Sequence, residues 1–327
     1  MWDEADQNGP SRHQASVMTQ NSIGTAPAPQ TISLARDGVV TRHNFQRLGL
    51  QRVLRGAYAV APSASGDEWA HRRADWLNRV RAVMAFYGNS EVVLYGATAL
   101  QVLGVQLPER LQDWTRVHVL VGSAARRPTR AGVVAHCAVR PIRTWRRIDG
   151  LPVLNPVEHW LQMSGATLNE MVEIGDGFVR RRGPLMTRAK MRKSLDGCAG
   201  LRGVKLAEHA FKLVMTGTDS IYETRTRLVL VDAGLPTPSV NPSIWCPSVG
   251  MAYHADMGYE QARVAVEYDG LVHVGDRFQM TIDADRRRNL QDAGWLIITV
   301  TAAGLRQPQD IVRSVENALI LRAGRSW

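Results

Sequence analysis

Ten residues near the C-terminus, Val264-Ala265-Val266-Glu267-Tyr268-Asp269-Gly270-Leu271-Val272-His273, constrain the fold of this chain more than any other stretch. Apolar and acidic residues alternate, which is the period of a strand. Side chains alternate across a strand, so Val264, Val266 and Tyr268 share one face, and Ala265, Glu267 and Asp269 the other. Two carboxylates on one face repel unless a cation or a proton shares the site, so the pair marks a candidate divalent-metal site. A second strand, Tyr253 to Tyr259, lies just upstream. With Glu260 to Arg263 as the hairpin loop, residues whose numbers sum to 523 face each other, which sets Asp256 opposite Glu267. Opposed residues bring their side-chain bases to about 4.5–5.5 Å. Asp256, Glu267 and Asp269 would then converge and offer oxygen ligands suited to Mg²⁺ or Mn²⁺. The alternative is a solvated acidic hairpin.

The flanking chain has a readable order. A helical pattern opens at Ser220-Ile221-Tyr222-Glu223 and stops near Ala233, before Gly234-Leu235-Pro236. Two short strands follow, near Val240–Cys246 and Tyr253–Gly258, then the strand ending at Asp269. A helix over Met280–Ala293, a strand at Leu296–Val300 and an amphipathic helix over Asp310–Leu321 complete the series α-β-β-β-α-β-α. Asp283, Arg286 and Leu290 lie along one face of their helix.

In this order the segment resembles the PD-(D/E)xK nuclease superfamily, in the branch related to the very-short-patch-repair (Vsr) endonucleases. That branch carries a helical Glu, an Asp, then Glu-x-Asp-Gly-x-x-His, then Asp-x-x-Arg-x-x-x-Leu-x-x-x-Gly-Trp. Here these are Glu223, Asp256, Glu267-Tyr268-Asp269-Gly270, His273, Asp283, Arg286, Leu290 and Gly294-Trp295, over about the last third of the chain. The resemblance implies a mixed sheet flanked by helices and metal-dependent hydrolysis of DNA. It makes Asp256 and Glu267 ligands of Mg²⁺ or Mn²⁺, with Glu223 reaching the metal through water. Catalytic roles fall to Glu223, Asp256, Glu267, Asp269, His273 and Arg286, with Asp283 in support. The superfamily's lysine, two residues after the acidic ligand, is replaced by Asp269. All four lysines lie earlier, at Lys190, Lys193, Lys205 and Lys212. Charge stabilisation at the phosphate therefore falls to His273, Arg286 or the metal. Asp269 is then a candidate holder of a water or a second metal.

Each residue also has a structural reading. Ser220 and Glu223 match a capping box. His273 suits a loop cap, Asp283 and Arg286 an intrahelical ion pair, and Trp295 a core position. Arg287 and Arg288, beside Arg286, suit a phosphate-contacting or solvated face.

Composition bounds the rest. At 327 residues the chain has room for two or three domains, an α/β arrangement of the α+β multidomain kind. Three widely spaced cysteines, Cys137, Cys198 and Cys246, exclude a disulfide framework or a paired zinc site and suit a reducing cytoplasm. No apolar run has the roughly 18 residues of a membrane helix. Net charge is +10, yet residues 219–327 hold 11 arginines against 13 acidic residues, so the basic excess lies before them. Such an excess suits a polyanion, most simply DNA. Arginine supplies 36 of the 40 basic residues, which a GC-rich genome would also produce.

Residues 1–28 read as a disordered leader. Residues 29–62 hold a helix starting near Asp37–Arg42 and a strand pair, Val53–Val60, turning at Gly56. They resemble the end of the winged-helix domain of AbiEi-type antitoxins, where an Arg-Gly-x-Tyr wing recurs, here Arg55-Gly56-Ala57-Tyr58. The stretch from Leu48 to Val53 is too short for a full recognition helix. Residues 63–218 mix helices and strands and resemble the middle of AbiEi-like proteins, which implies a toxin partner. Arg180, Arg181, Arg182, Lys190 and Lys193 are their candidate phosphate contacts. Residues 219–327 form the nuclease-like domain. Two functions follow: a metal-dependent DNA endonuclease, or a non-catalytic DNA-binding regulator that keeps the nuclease fold.

Overall fold

The computed structural model describes residues 32–61, 68–87, 92–124, 127–163, 165–270 and 277–323. The expected leader and His273 lie outside these residues. The chain is a mixed α/β assembly with several sheets, as the α+β reading expects.

The N-terminal module is a small sheet of β1 (Ser33–Leu34), β2 (Leu50–Leu54) and β3 (Ala57–Val60), ordered β1-β3-β2. Gly56 turns the β2–β3 hairpin at φ +80°, a conformation that favours glycine. The helix expected from Asp37 does not form. One 3₁₀ turn, Ala35–Asp37, ends at Gly38, and Val39-Val40-Thr41 are β-branched and poor continuers of a helix. Helix α1 (Glu68–Tyr87) packs against this sheet through Ala82 and Phe86, and its Trp76 and Val80 enter the next core.

The middle region centres on five strands: β4 (Val92–Leu94), then helix α2 (Gly96–Val102), β5 (Val117–Val121), β6 (Val133–Cys137), β7 (Arg146–Ile148) and β8 (Leu151–Val153). Their order is β6-β5-β4-β8-β7. One sheet face, Val92, Leu94, Val117, Val119 and Val121, packs into the largest core. Helices α3 (Pro156–Trp160), α4 (Leu168–Phe178), α5 (Arg188–Asp196) and α6 (Val204–Leu213) complete it. Their starts are written locally: Asn155 caps α3 ahead of Pro156, Thr167 and Glu170 form a capping box on α4, and Thr187 caps α5.

The C-terminal region comprises α7 (Ile221–Asp232), β9 (Ser239–Val240), β10 (Ser243–Cys246), β11 (Met251–His254), β12 (Met257–Tyr259), β13 (Val264–Asp269), α8 (Arg277–Asp292), β14 (Leu296–Thr301) and α9 (Pro308–Ala323). Strands order as β14-β13-β12-β9, with β13 and β14 parallel across the α8 crossover. The expected hairpin register holds: Met257 faces Val266, Gly258 faces Ala265 and Tyr259 faces Val264. The expected alternation holds too. Val264 and Val266 pack with Leu230 of α7 and Val315 of α9, while Ala265 packs with Leu290 of α8 and Trp295.

Two expected strands, Val240–Cys246 and Tyr253–Gly258, are each divided between two sheets. Asn241 takes φ +53°, and Pro242 has no N–H to give a ladder. The chain leaves the main sheet there, runs as the β10–β11 ribbon, and returns at Asp256.

Helix α7 belongs to both halves. Leu228 lies in the middle core and Leu230 in the C-terminal core. Its Arg227 donates to Asp176 of α4 at 2.8 Å, with side chains 3% and 1% exposed. Arg225 grips Glu173 of α4 through Nε and Nη2 at 2.9 and 3.0 Å. Tyr222 stacks on Tyr268 of β13 at 4.8 Å and donates to Glu109.

Candidate active site

At the open end of the β12–β13 hairpin, Asp256 lies within electrostatic reach of Glu223 and of Glu267. Glu267 sits on the β13 face that looks toward α8. Leu290 fixes that helix on Ala265, so Arg286, one turn earlier, reaches the sheet. Arg286 forms a two-pronged contact with Glu267: Nη1 to Oε2 at 3.1 Å and Nη2 to Oε1 at 2.6 Å. Nη2 also donates to the His254 carbonyl at 2.5 Å. The intrahelical Asp283–Arg286 reading is therefore secondary to this cross-element fork, although Asp283 still adds to the field that favours the Arg286 charge.

Asp256 leaves the β12 ladder. Its Oδ2 accepts the backbone N–H of Tyr268 at 2.7 Å, which binds it diagonally across the strand end rather than square to Glu267. Burial pushes its carboxyl up to about 6; the Tyr268 N–H opposes the rise, Glu267 adds to it, and Arg286 and Arg181 also oppose it.

Glu223 arrives on the first turn of α7. Ser220 caps that turn, accepting from the Glu223 N–H at 3.2 Å. The Glu223 carboxylate accepts the N–H of Asp219 at 2.9 Å, one residue before the cap, so only half of a capping box forms. Burial and the nearby Asp256 push its carboxyl up to about 8. A carboxyl raised in the folded state stabilises that state while protonated. This contribution is present below about pH 4.5 and is lost as pH rises toward about 8. Glu223→Gln, which keeps the acceptor for Asp219, is expected to raise the melting temperature by a few degrees at about pH 9 and to change it little at about pH 4. A lower melting temperature at about pH 9 would contradict this.

The middle region lends a cation. Arg181, just beyond α4, donates to Asp219 Oδ2 from Nε at 2.9 Å and Nη2 at 2.5 Å, and its charge is felt at Asp256. Arg182 binds the same carboxylate through its backbone N–H at 3.0 Å. Sequence reasoning placed both among phosphate contacts and missed Asp219, which ties them to the site. A hint lay in the adjacency of Asp219 to the Ser220 cap. The Arg180 guanidinium donates to the carbonyls of Gly104, Arg182 and Gly183.

The other expected residues lie apart or at the rim. Asp269 is half-buried at the end of β13, opposite Thr301 of β14 and on the Glu267 face. Arg287 and Arg288 are exposed on α8, with Arg288 paired to Asp285 at 3.2 Å. Lys190 and Lys193 are exposed on α5, an element packed against α3 and α6 rather than on the β14-β13-β12-β9 sheet. Trp295 packs in the core beside Leu290, and Gly258 allows this, since a Cβ there would lie 3.3 Å from its ring.

The donor chemistry fits a hard divalent cation. Asp256 and Glu223 are neighbouring carboxyls raised first by burial and then by a nearby carboxylate, so a bound cation would ease their ionisation. Among the described residues no three ligand-type side chains are already drawn to metal spacing. Each Glu267 oxygen accepts one Arg286 prong and keeps a further lone pair for a ligand.

No family model matches the chain. It is 26% identical over 261 residues to two uncharacterized proteins of Mycobacterium tuberculosis, one from strain CDC 1551 / Oshkosh and one from strain ATCC 25618 / H37Rv. The aligned part spans 79% of this chain and 88% of each. The crystal structure of the RV2827C protein from Mycobacterium tuberculosis aligns over 68% of this chain and 86% of its own, at 17% identity and a TM-score of 0.36, too loose a likeness to inform the fold.

Proposed function

We propose that the chain is a metal-dependent DNA endonuclease, with Asp256 and Glu267 as the metal ligands and Glu223 reaching the metal through water. The observation that carries this reading is that Asp256 lies within electrostatic reach of both Glu223 of α7 and Glu267 of β13, with the Asp256 and Glu223 carboxyls both raised by burial. A bound Mg²⁺ or Mn²⁺ would supply positive charge and a more acidic water there. Glu223 accepts the proton of the attacking water as the water's oxygen bonds to phosphorus. One P–O ester bond breaks, and the leaving oxygen takes a proton from solvent. Arg286 orients Glu267 in the free protein and turns a prong to the phosphate as charge builds, the task of the missing lysine. Arg181 steadies Asp256 from the side.

A second reading, DNA binding without cleavage, rests on the Arg286 fork, which occupies both Glu267 oxygens. The full chain, incubated with supercoiled, linear, mismatched and single-stranded DNA in Mg²⁺, Mn²⁺ or EDTA, separates the two. Cleavage of at least one substrate with metal and none in EDTA is the expected outcome. DNA bound but uncut under every condition would favour the second reading.

A further inference from the structure

We propose that a groove on the middle sheet binds single-stranded nucleic acid. The site lies on different elements from the carboxylates and concerns binding alone, so it stands or falls separately from cleavage. One face of the five-stranded sheet packs into the large core. The other, around Val93, Leu120 and Leu154, is packed by Tyr95, Ala138 and Ile142, the last from the stretch 139–145 that leads into β7. Between this stretch, helix α1 and the first residues of β4 and β8, at the end of the sheet, lies a groove of about 850 Å³. Its floor is apolar, with Val93, Ile142 and Leu151. Its walls carry Arg81, Arg140 and Arg147, against a single acid, Asp149.

The charges are poorly balanced. Arg81 is 7% exposed, touches Asp149 only at 3.5 Å, and has a buried Nε without a partner. Arg147 donates Nη1 to the Gly150 carbonyl and forms no salt bridge among the described residues. Arg140 is paired with Glu158 at 2.9 Å. Arg143 is exposed, with no acidic partner among the described residues. Next to these, Trp145 is 36% exposed and carries the Arg146 guanidinium 4.2 Å over its ring.

An apolar floor, a cationic wall and an aromatic plate suit one ligand class. Phosphates seek the arginines, while unstacked bases need the floor and the plate. A duplex keeps its bases stacked inside and would meet only the arginines. An acidic protein segment would use the charges and leave the apolar floor and Trp145 idle.

The test is fluorescence anisotropy with the full chain in EDTA, using a labelled single-stranded oligonucleotide and the same sequence as duplex. Arg143→Ala/Arg147→Ala is expected to weaken single-strand binding at least tenfold and to flatten the log affinity–log salt slope by about 1.4, the share of two phosphate contacts. Trp145→Ala is expected to weaken single-strand binding about tenfold while changing duplex binding less than twofold. Arg313→Ala, on α9, is the control and should bind as wild type. Unchanged melting temperatures establish folding, which the exposure of Arg143 and Trp145 favours. Wild-type affinity in both groove variants, equal loss on duplex and single strand for Trp145→Ala, or displacement by polyglutamate at the oligonucleotide's own charge concentration would each overturn the proposal.

Discussion

Asp256→Asn is expected to lose metal-dependent DNA cleavage by at least about a thousandfold while melting at a higher temperature than wild type at pH 8. Both effects follow from one carboxylate. Asp256 offers oxygen to a cation, and an amide is a far weaker ligand for Mg²⁺ or Mn²⁺. Without the cation its charge is unwelcome: burial and the Glu267 charge hold its carboxyl up at about 6, so at pH 8 the folded state carries a charge it disfavours. Asparagine keeps an acceptor for the Tyr268 N–H and removes the repulsion toward Glu223. Thermal unfolding and a cleavage time course on one preparation check both halves. Cleavage within tenfold of wild type would remove Asp256 from the metal site, and a fall in melting temperature would show that its charge is stabilising.

Arg227→Met is expected to destabilise the protein by about 3–5 kcal/mol, the usual cost of stranding one partner of a buried ion pair. Asp176 accepts from the Met215 N–H, the Thr224 hydroxyl and Arg227, each at 2.8 Å. Burial pushes its carboxyl upward, and Arg227 with those donors opposes the push. Removing Arg227 leaves the charge in a site 1% exposed. Adding Asp176→Asn should restore part of the loss, because the amide oxygen still serves Met215 without a charge. Urea unfolding measures each variant; a loss below about 1 kcal/mol would show that the pair is solvated. The consequence for function is direct. Helix α7 carries Glu223, so loosening its hold on α4 moves a carboxylate relative to Asp256.

The C-terminal fold was legible where local pattern fixes geometry. Alternation in Val264–Asp269 set the faces of β13, and a four-residue loop set the register that pairs Met257 with Val266. The spacing of Arg286 and Leu290 put the guanidinium and its anchor on one helix face. What escaped depends on contacts distant in sequence. Arg225, Thr226 and Arg227 stand in a row on α7, which reads as a wet stretch of helix. Their partners, Glu173 and Asp176, are about fifty residues away and buried between two cores. The triplet Arg180-Arg181-Arg182 read as one basic patch, yet its members part ways because carbonyls wait for the first and Asp219 for the other two. The division of the β10–β11 ribbon from the main sheet turns on Asn241 and Pro242, whose neighbours otherwise read as one strand.

The most direct measurement is the conversion of supercoiled DNA to nicked or linear forms by the full chain in Mn²⁺, with Glu267→Gln and an EDTA control run beside it. Conversion by wild type in Mn²⁺, and none by Glu267→Gln or by wild type in EDTA, is the result this account predicts. Nicking that persists in excess EDTA, or that Glu267→Gln performs at the wild-type rate, would contradict a metal-dependent carboxylate site at the end of β13.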